Sequence, residues 1–156
     1  MDSFSHQQDG AAEAAGAADG GEHGGRERGG ELSLELLKAV SRSFYLSMVW
    51  LPRPMRSGIA LGYLLARATD SVADSSGAAL SLRETVLEAM GRSIAAATPP
   101  ADEEALLRAL RETMAPAQEK EAEAQLLRVF GEALRALRSL PPAEAVLLRE
   151  VLAEIV

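Results

Sequence analysis

The sequence predicts an all-α fold. Three observations carry this. Apolar residues recur at helical spacing almost everywhere from residue 31 onward, proline, glycine and serine fall where helices would end, and no segment shows the sustained alternation of a strand. No Gly-rich phosphate loop follows a strand, and no internal repeat of fixed period runs along the chain. Six helices account for the pattern.

Residues 1–30 stand apart from them. This stretch holds eight of the thirteen glycines, one aromatic residue, Phe4, and no periodic apolar face, so it reads as a disordered Gly/Ala/acidic tail. Residues 31–156 form the helical domain. Its first helix spans Ser33 to Val49 and ends before Pro52, because the residue before a proline is pushed out of the helical region. The second runs from Pro54 to Asp74, and Gly77 offers a left-handed terminator. Ser81 and Glu84 form a capping box that opens a third helix, with Leu82, Val86, Met90 and Ile94 on one face. A short fourth helix covers Asp102 to Met114, with Leu106, Leu107 and Leu110 inside. Beyond Pro116, the stripe Leu126, Leu127, Phe130, Leu134 and Leu137 marks a fifth. A sixth, Ala143 to Val156, has an apolar face of Val146, Leu147, Val151, Leu152 and Ile155.

Composition excludes several classes of chemistry. With no cysteine, disulfides, thiolate metal sites and cysteine nucleophiles are ruled out. Both histidines, His6 and His23, lie in the tail, so the body has no histidine acid, base or ligand. Six acids against two arginines give the tail a charge of −4, which leaves −3 of the chain's −7 for residues 31–156. A near-neutral body without a dense basic cluster argues against nucleic acid as a partner. The N-terminus lacks a secretory signal and no run reaches the roughly twenty apolar residues of a membrane span, so a cytoplasmic protein is expected. Chemistry in the body must run on carboxylates, hydroxyls, tyrosines, arginines and a bound ion.

One row has those parts. At about 100° per residue, Tyr63, Arg67, Asp70 and Asp74 fall within roughly 60° of one another around the second helix, with Arg56 on the same stripe. Asp70 and Asp74 are one turn apart, about 6 Å along the axis. Their carboxylates repel unless a proton or a cation is shared between them, and Mg²⁺ is commonly held by one or two carboxylates plus substrate phosphates. On spacing alone, a solvated face laced with weak ion pairs is the slightly better reading, since Arg67 and Asp70 are an i, i+3 pair. Composition weakens it: the rest of the helix, "GIALGYLLARA", has little polar surface, and Gly58 and Gly62 allow close helix approach. The preceding helix adds Ser41, Arg42 and Ser43 beside Phe44 and Tyr45. They are either a polar step in a core helix or, paired with the aspartate row, candidate diphosphate contacts.

The stretch "SRSFYLSMVWLPRPMRSGIALGYLLARATDSVAD", Ser41 to Asp74, resembles the squalene/phytoene synthase family. That family's early region reads Ser-[Arg/Lys]-[Ser/Thr]-Phe and then Tyr-x-x-x-Arg-x-x-Asp-x-x-x-Asp. The resemblance implies an isoprenoid-synthase-like helical bundle with a central cavity. It also implies head-to-head condensation of two allylic prenyl diphosphates, farnesyl or geranylgeranyl, with release of diphosphate. By position, Asp70 and Asp74 would bind Mg²⁺, and Tyr63 and Arg67 would be catalytic. Ser41, Arg42, Ser43 and Phe44 would contact substrate. NADPH would be needed only for a squalene product, and peripheral membrane association would suit release of an apolar product. The family's second Asp-x-x-x-Asp does not follow Asp74, and the sequence stops at "LAEIV". The expectation is therefore the N-terminal portion of a synthase, a truncated chain with half a metal site and half a cavity. The alternatives are a non-catalytic helical interaction subunit or degenerate relative, and a head-to-tail synthase or cyclase, whose denser Asp-Asp-x-x-Asp is missing.

Overall fold

A computed structural model of the chain describes residues 35–155, and all of its regular structure is helical. The predicted tail over residues 1–30, the start of the first helix at Ser33 and the end of the last at Val156 lie outside the described residues. The helices are α1 (residues 35–40), α2 (Arg42–Val49), α3 (Arg53–Ala73), α4 (Leu80–Ala95), α5 (Glu103–Ala109), α6 (Glu121–Arg128), α7 (Phe130–Arg138) and α8 (Pro142–Ala153). A π-helical turn, Leu110–Met114, follows α5 directly.

Helix α3 is the axis of the bundle. It starts where Pro54 supplies a preset helical φ in the first turn, and it contacts α2, α4, α6, α7 and α8. Ala60, Leu61, Leu64, Leu65, Ala68 and Val72 are buried along it, a face about 140° wide that is closed to water. Its two buried hydroxyls are satisfied within the helix, Thr69 Oγ1 donating to the Ala66 carbonyl at 2.7 Å and Ser71 Oγ to that of Arg67 at 2.9 Å. Around it lie Val86, Met90 and Ile94 of α4, Leu126 and Leu127 of α6, and Phe130, Leu134 and Leu137 of α7. The periodic apolar residues of the third and fifth predicted helices therefore form the core, with Leu82 alone left partly exposed.

Several boundaries differ from those the sequence predicts. The first helix is broken at Ser41, whose extended backbone (φ −157°, ψ 96°) makes it the N-cap of α2, its hydroxyl accepting from Phe44 N–H at 3.4 Å. A serine that can satisfy a free N–H restarts the helix more readily than it continues one. The fifth helix is kinked at Val129 (φ −96°, ψ 6°), dividing α6 from α7 while the apolar stripe runs on across the kink. The capping box at Ser81 and Glu84 does not form: the N-cap of α4 is Ala79, two residues before Ser81, and the Ser81 carbonyl is taken by Thr85 Oγ1 at 2.9 Å. Gly77 does not terminate α3 with a left-handed residue. The helix ends at Asp74 in the right-handed region, and Gly77 instead lets the chain after the π turn come close, since a Cβ there would lie 3.3 Å from the Ala117 carbonyl oxygen.

The π turn closes through Ala115 N–H to the Leu110 carbonyl at 2.8 Å and keeps both Leu110 and Met114 fully buried. A buried ion pair ties the outer helices together: Arg138 of α7 donates through both terminal nitrogens to Glu103 of α5, and also to the Ser93 carbonyl of α4 at 3.1 Å. Of the apolar face predicted for the last helix, Leu152 alone is buried, and the inward face is rotated from the predicted one. Ala145, Leu148 and Leu152, at i, i+3 and i+7, turn towards α3 and α4, whereas Val146, Leu147, Val151 and Ile155 are about half exposed or more. None of the described helices is long and apolar enough to cross a membrane.

Candidate functional site

The α3 row starts inside the bundle and ends in water. Tyr63 is half-buried, Arg67 is 25 % exposed at its side chain, Asp70 is 59 % exposed, and Asp74 is exposed as the C-cap residue of α3. Both carboxylates thus sit on the last turn and cap of a 21-residue helix, the negative end of its dipole. Two anions placed against that dipole create a strongly negative spot, which a cation relieves. Arg83 of α4 supplies a partial answer by donating to the Ala73 carbonyl at 2.6 Å, one residue before Asp74.

Arg67 is held from across the bundle. Its Nη2 donates to Glu123 Oε1 of α6 at 2.6 Å, and its Nη1 makes a longer i, i+3 ion pair with Asp70 Oδ2 at 4.0 Å. Lys120 Nζ approaches the same Glu123 oxygen at 3.3 Å. Glu123 is a site residue that the sequence does not announce: 56 positions separate it from Arg67, and its spacing to Lys120 fits an ordinary exposed helix start.

The neighbouring helix is joined to the row through aromatic rings. Phe44 of α2 stacks on Tyr63 with centroids 3.9 Å apart and planes at 15°. Arg56, although in register with the row, is spent elsewhere: its Nε donates to the Leu51 carbonyl and its Nη2 to that of Val49, both at 2.7 Å, closing the end of α2. Of the α2 residues, the structure brings Phe44 to the row and places Ser41 behind it as the helix cap. Arg42 and Ser43 are exposed, and Arg42 lies about 200° around α2 from Phe44. Among the described residues no hydrogen bond or ion pair joins either side chain to the α3 row.

Beside Tyr63 an apolar groove of about 550 Å³ opens between α3 and α8. Ile59, Gly62, Tyr63 and Ala66 form one wall, and Leu147, Leu148, Val151 and Ile155 the other, with Phe44 and Met55 along the edge. Tyr63 and Glu144 are the polar side chains of the lining. Gly62 leaves room for Leu148 between the two helices, because a Cβ there would come within 2.6 Å of Leu148 Cδ1, the tip of that side chain. The exposed apolar face of α8 is therefore largely the wall of this groove. Tyr63 belongs to both features, so the groove and the charged row meet at its ring.

The donor set can be tested against a metal. Among the described residues no cluster of three or more His, Cys, Asp or Glu side chains is present, so a cage made by protein alone is not built. Two exposed carboxylates one turn apart, at a helix C-terminus, suit a hard cation that keeps water and takes its remaining oxygens from an anionic ligand. Mg²⁺ fits that description.

A model of the squalene/phytoene synthase family matches residues 37–153, well over half of the chain. The chain belongs to that family. No curated protein and no solved structure matches it.

Proposed function

We propose that, as a member of the squalene/phytoene synthase family, this chain serves the head-to-head condensation of two allylic prenyl diphosphates, of farnesyl or geranylgeranyl length, with release of diphosphate. The observation that carries the reading is the junction at Tyr63. A groove with apolar walls, sized for a hydrocarbon chain, ends at Tyr63 and Ala66, and one arginine and two carboxylates follow from there along the same helix. An amphipathic substrate with a long apolar tail and a highly charged head matches both halves.

Asp70 and Asp74 would hold Mg²⁺, which when bound neutralises charge on the departing diphosphate. The chain's own residues supply the rest. Arg67 presents a guanidinium edge to the same region and favours charge on the leaving oxygens in the transition state. Tyr63 and Phe44, stacked at the groove mouth, keep water from the allylic carbon as positive charge develops there, and their ring faces favour that charge. The groove walls orient the tail so that the reacting carbon lies at the charged end. Ser41, Arg42 and Ser43 complete the proposed substrate contacts from α2, with Arg42 and Ser43 requiring a different side-chain arrangement from the exposed one described above. A squalene product would add an NADPH-dependent reduction, and a phytoene-type product would not.

The test is diphosphate release from farnesyl or geranylgeranyl diphosphate, followed with and without Mg²⁺. Release should require the metal and should be lost in Asp70→Asn and in Asp74→Asn. Metal-independent turnover, or unchanged rates in both variants, would sink the assignment.

A further inference from the structure

Arg67 has two carboxylates within reach, and the structure gives it to the distant one. Glu123 Oε1 accepts a hydrogen bond from Nη2 at 2.6 Å, whereas Asp70, three residues on along the same helix, makes only a long ion pair with Nη1 at 4.0 Å. We infer that Glu123 is a positioning residue for the aspartate row: by holding the Arg67 guanidinium from α6, it keeps the Arg67–Asp70 ion pair long and stops that cation from closing onto the Asp70 carboxylate, which leaves the oxygens of Asp70 and Asp74 for a divalent ion. The inference rests on the reading of the row as a cation site.

The physical case runs through competition for one charge. An arginine three residues before an aspartate on a helix is within pairing distance of it, and the long stem of Arg67 can close the remaining gap with a small rotation. Glu123 opposes that because it is well placed: its side chain is 14 % exposed, so its hydrogen bond to Arg67 is less screened than one Arg67 would make to the 59 % exposed Asp70. Lys120, at 3.3 Å from the same oxygen, fixes Glu123 in turn and offsets its charge. If Glu123 lets go, the guanidinium moves onto Asp70 and occupies the carboxylate that a metal ion needs. Outer groups that orient the ligands of a metal commonly act in this way.

The probe is Mn²⁺ alone, which takes the same oxygen ligands, followed by electron paramagnetic resonance on the full chain. Glu123→Gln is expected to weaken Mn²⁺ binding about tenfold. Glu123→Asp keeps the charge but draws the carboxylate back by one methylene, so it too should weaken binding. In an Arg67→Gln background, Glu123→Gln should change the affinity by less than about twofold, because the cation it restrains is gone. Equal losses in both backgrounds, or Mn²⁺ affinity untouched by Glu123→Asp, would make Glu123 a charge acting at a distance and overturn the inference. The reading it rests on is judged separately: Asp70→Asn and Asp74→Asn should each remove the Mn²⁺ signal. If neither does, the row is not a cation site and both ideas fall together.

Discussion

The rings of Phe44 and Tyr63 lie 3.9 Å apart and nearly parallel, and this stack connects α2 to the charged row of α3. It also explains how a helix of eight residues holds its place: α2 is capped at its start by Ser41, closed at its end by Arg56, and pinned between them by Phe44. Replacing Phe44 with leucine keeps an apolar side chain but removes the aromatic pair, which should lower stability by about 1 kcal/mol in urea unfolding. Tyr63→Phe keeps the stack and should leave stability unchanged. A fall in diphosphate release in Tyr63→Phe would therefore report on the hydroxyl, not on packing.

The Glu103 and Arg138 side chains are only 11 % and 12 % exposed, and Arg138 also serves the Ser93 carbonyl. Removing one member of such a pair strands the other, so Glu103→Ala should cost about 3 kcal/mol in denaturant unfolding. Glu103→Gln, which still accepts a hydrogen bond, should cost less. A loss below about 1 kcal/mol in Glu103→Ala would mean that water reaches Arg138 freely.

How far the sequence disclosed the molecule follows from the range of each interaction. Leu126, Leu127, Phe130, Leu134 and Leu137 repeat at helical spacing and are buried, because burying an apolar stripe is a choice each helix makes from its own residues. Local hydrogen bonds were less legible. Ser41 and Ser81 both resemble helix caps by type, yet Ser41 caps α2 from within a predicted helix, while Ser81 is overtaken by an α4 that starts at Leu80. Such competitions turn on small energy differences, of order 1 kcal/mol. The aspartate row could be read from its register on one helix. The partner of Arg67 could not, since Glu123 reaches it only through the packing of α6 on α3. The outward face of α8 was obscure for the same reason: Leu147 and Leu148 are equally apolar, and only the space beside Gly62 selects Leu148 for the inside.

Asp102 accepts from Arg92 Nη2 at 2.7 Å, and this hydrogen bond, with a smaller contribution from the Asp102 backbone, lowers its pKa below the ordinary value of 3.8. A carboxyl with a depressed folded pKa adds stability above its unfolded value and loses it as pH falls through the folded one. Asp102→Asn should therefore flatten the acid side of the stability profile below about pH 4 and leave a slightly less stable protein at neutral pH. Because both side chains are half-exposed, the effect should be small and should shrink with added salt. Urea midpoints across that pH range, at low and high salt, provide the check.

Gly62 links helix packing to the size of the groove. An alanine there would put its Cβ 2.6 Å from Leu148 Cδ1, the far end of a side chain that can turn away. The strain of that turn is opposed by the better helix propensity of alanine, worth about 1 kcal/mol over glycine, so Gly62→Ala should change stability little. The methyl group and the displaced Leu148 tip both enter the groove, however, since both residues line it. An apolar fluorescent probe should then bind several-fold more weakly to Gly62→Ala than to the parent chain. Gly62→Leu cannot be absorbed by one rotamer and should push α8 off α3, at a cost of about 1–3 kcal/mol. Equal probe binding by the parent and Gly62→Ala would place the probe elsewhere. If Gly62→Ala instead lost more than about 2 kcal/mol, Leu148 would be shown to be locked, and the groove wall would be rigid core rather than an adjustable lining.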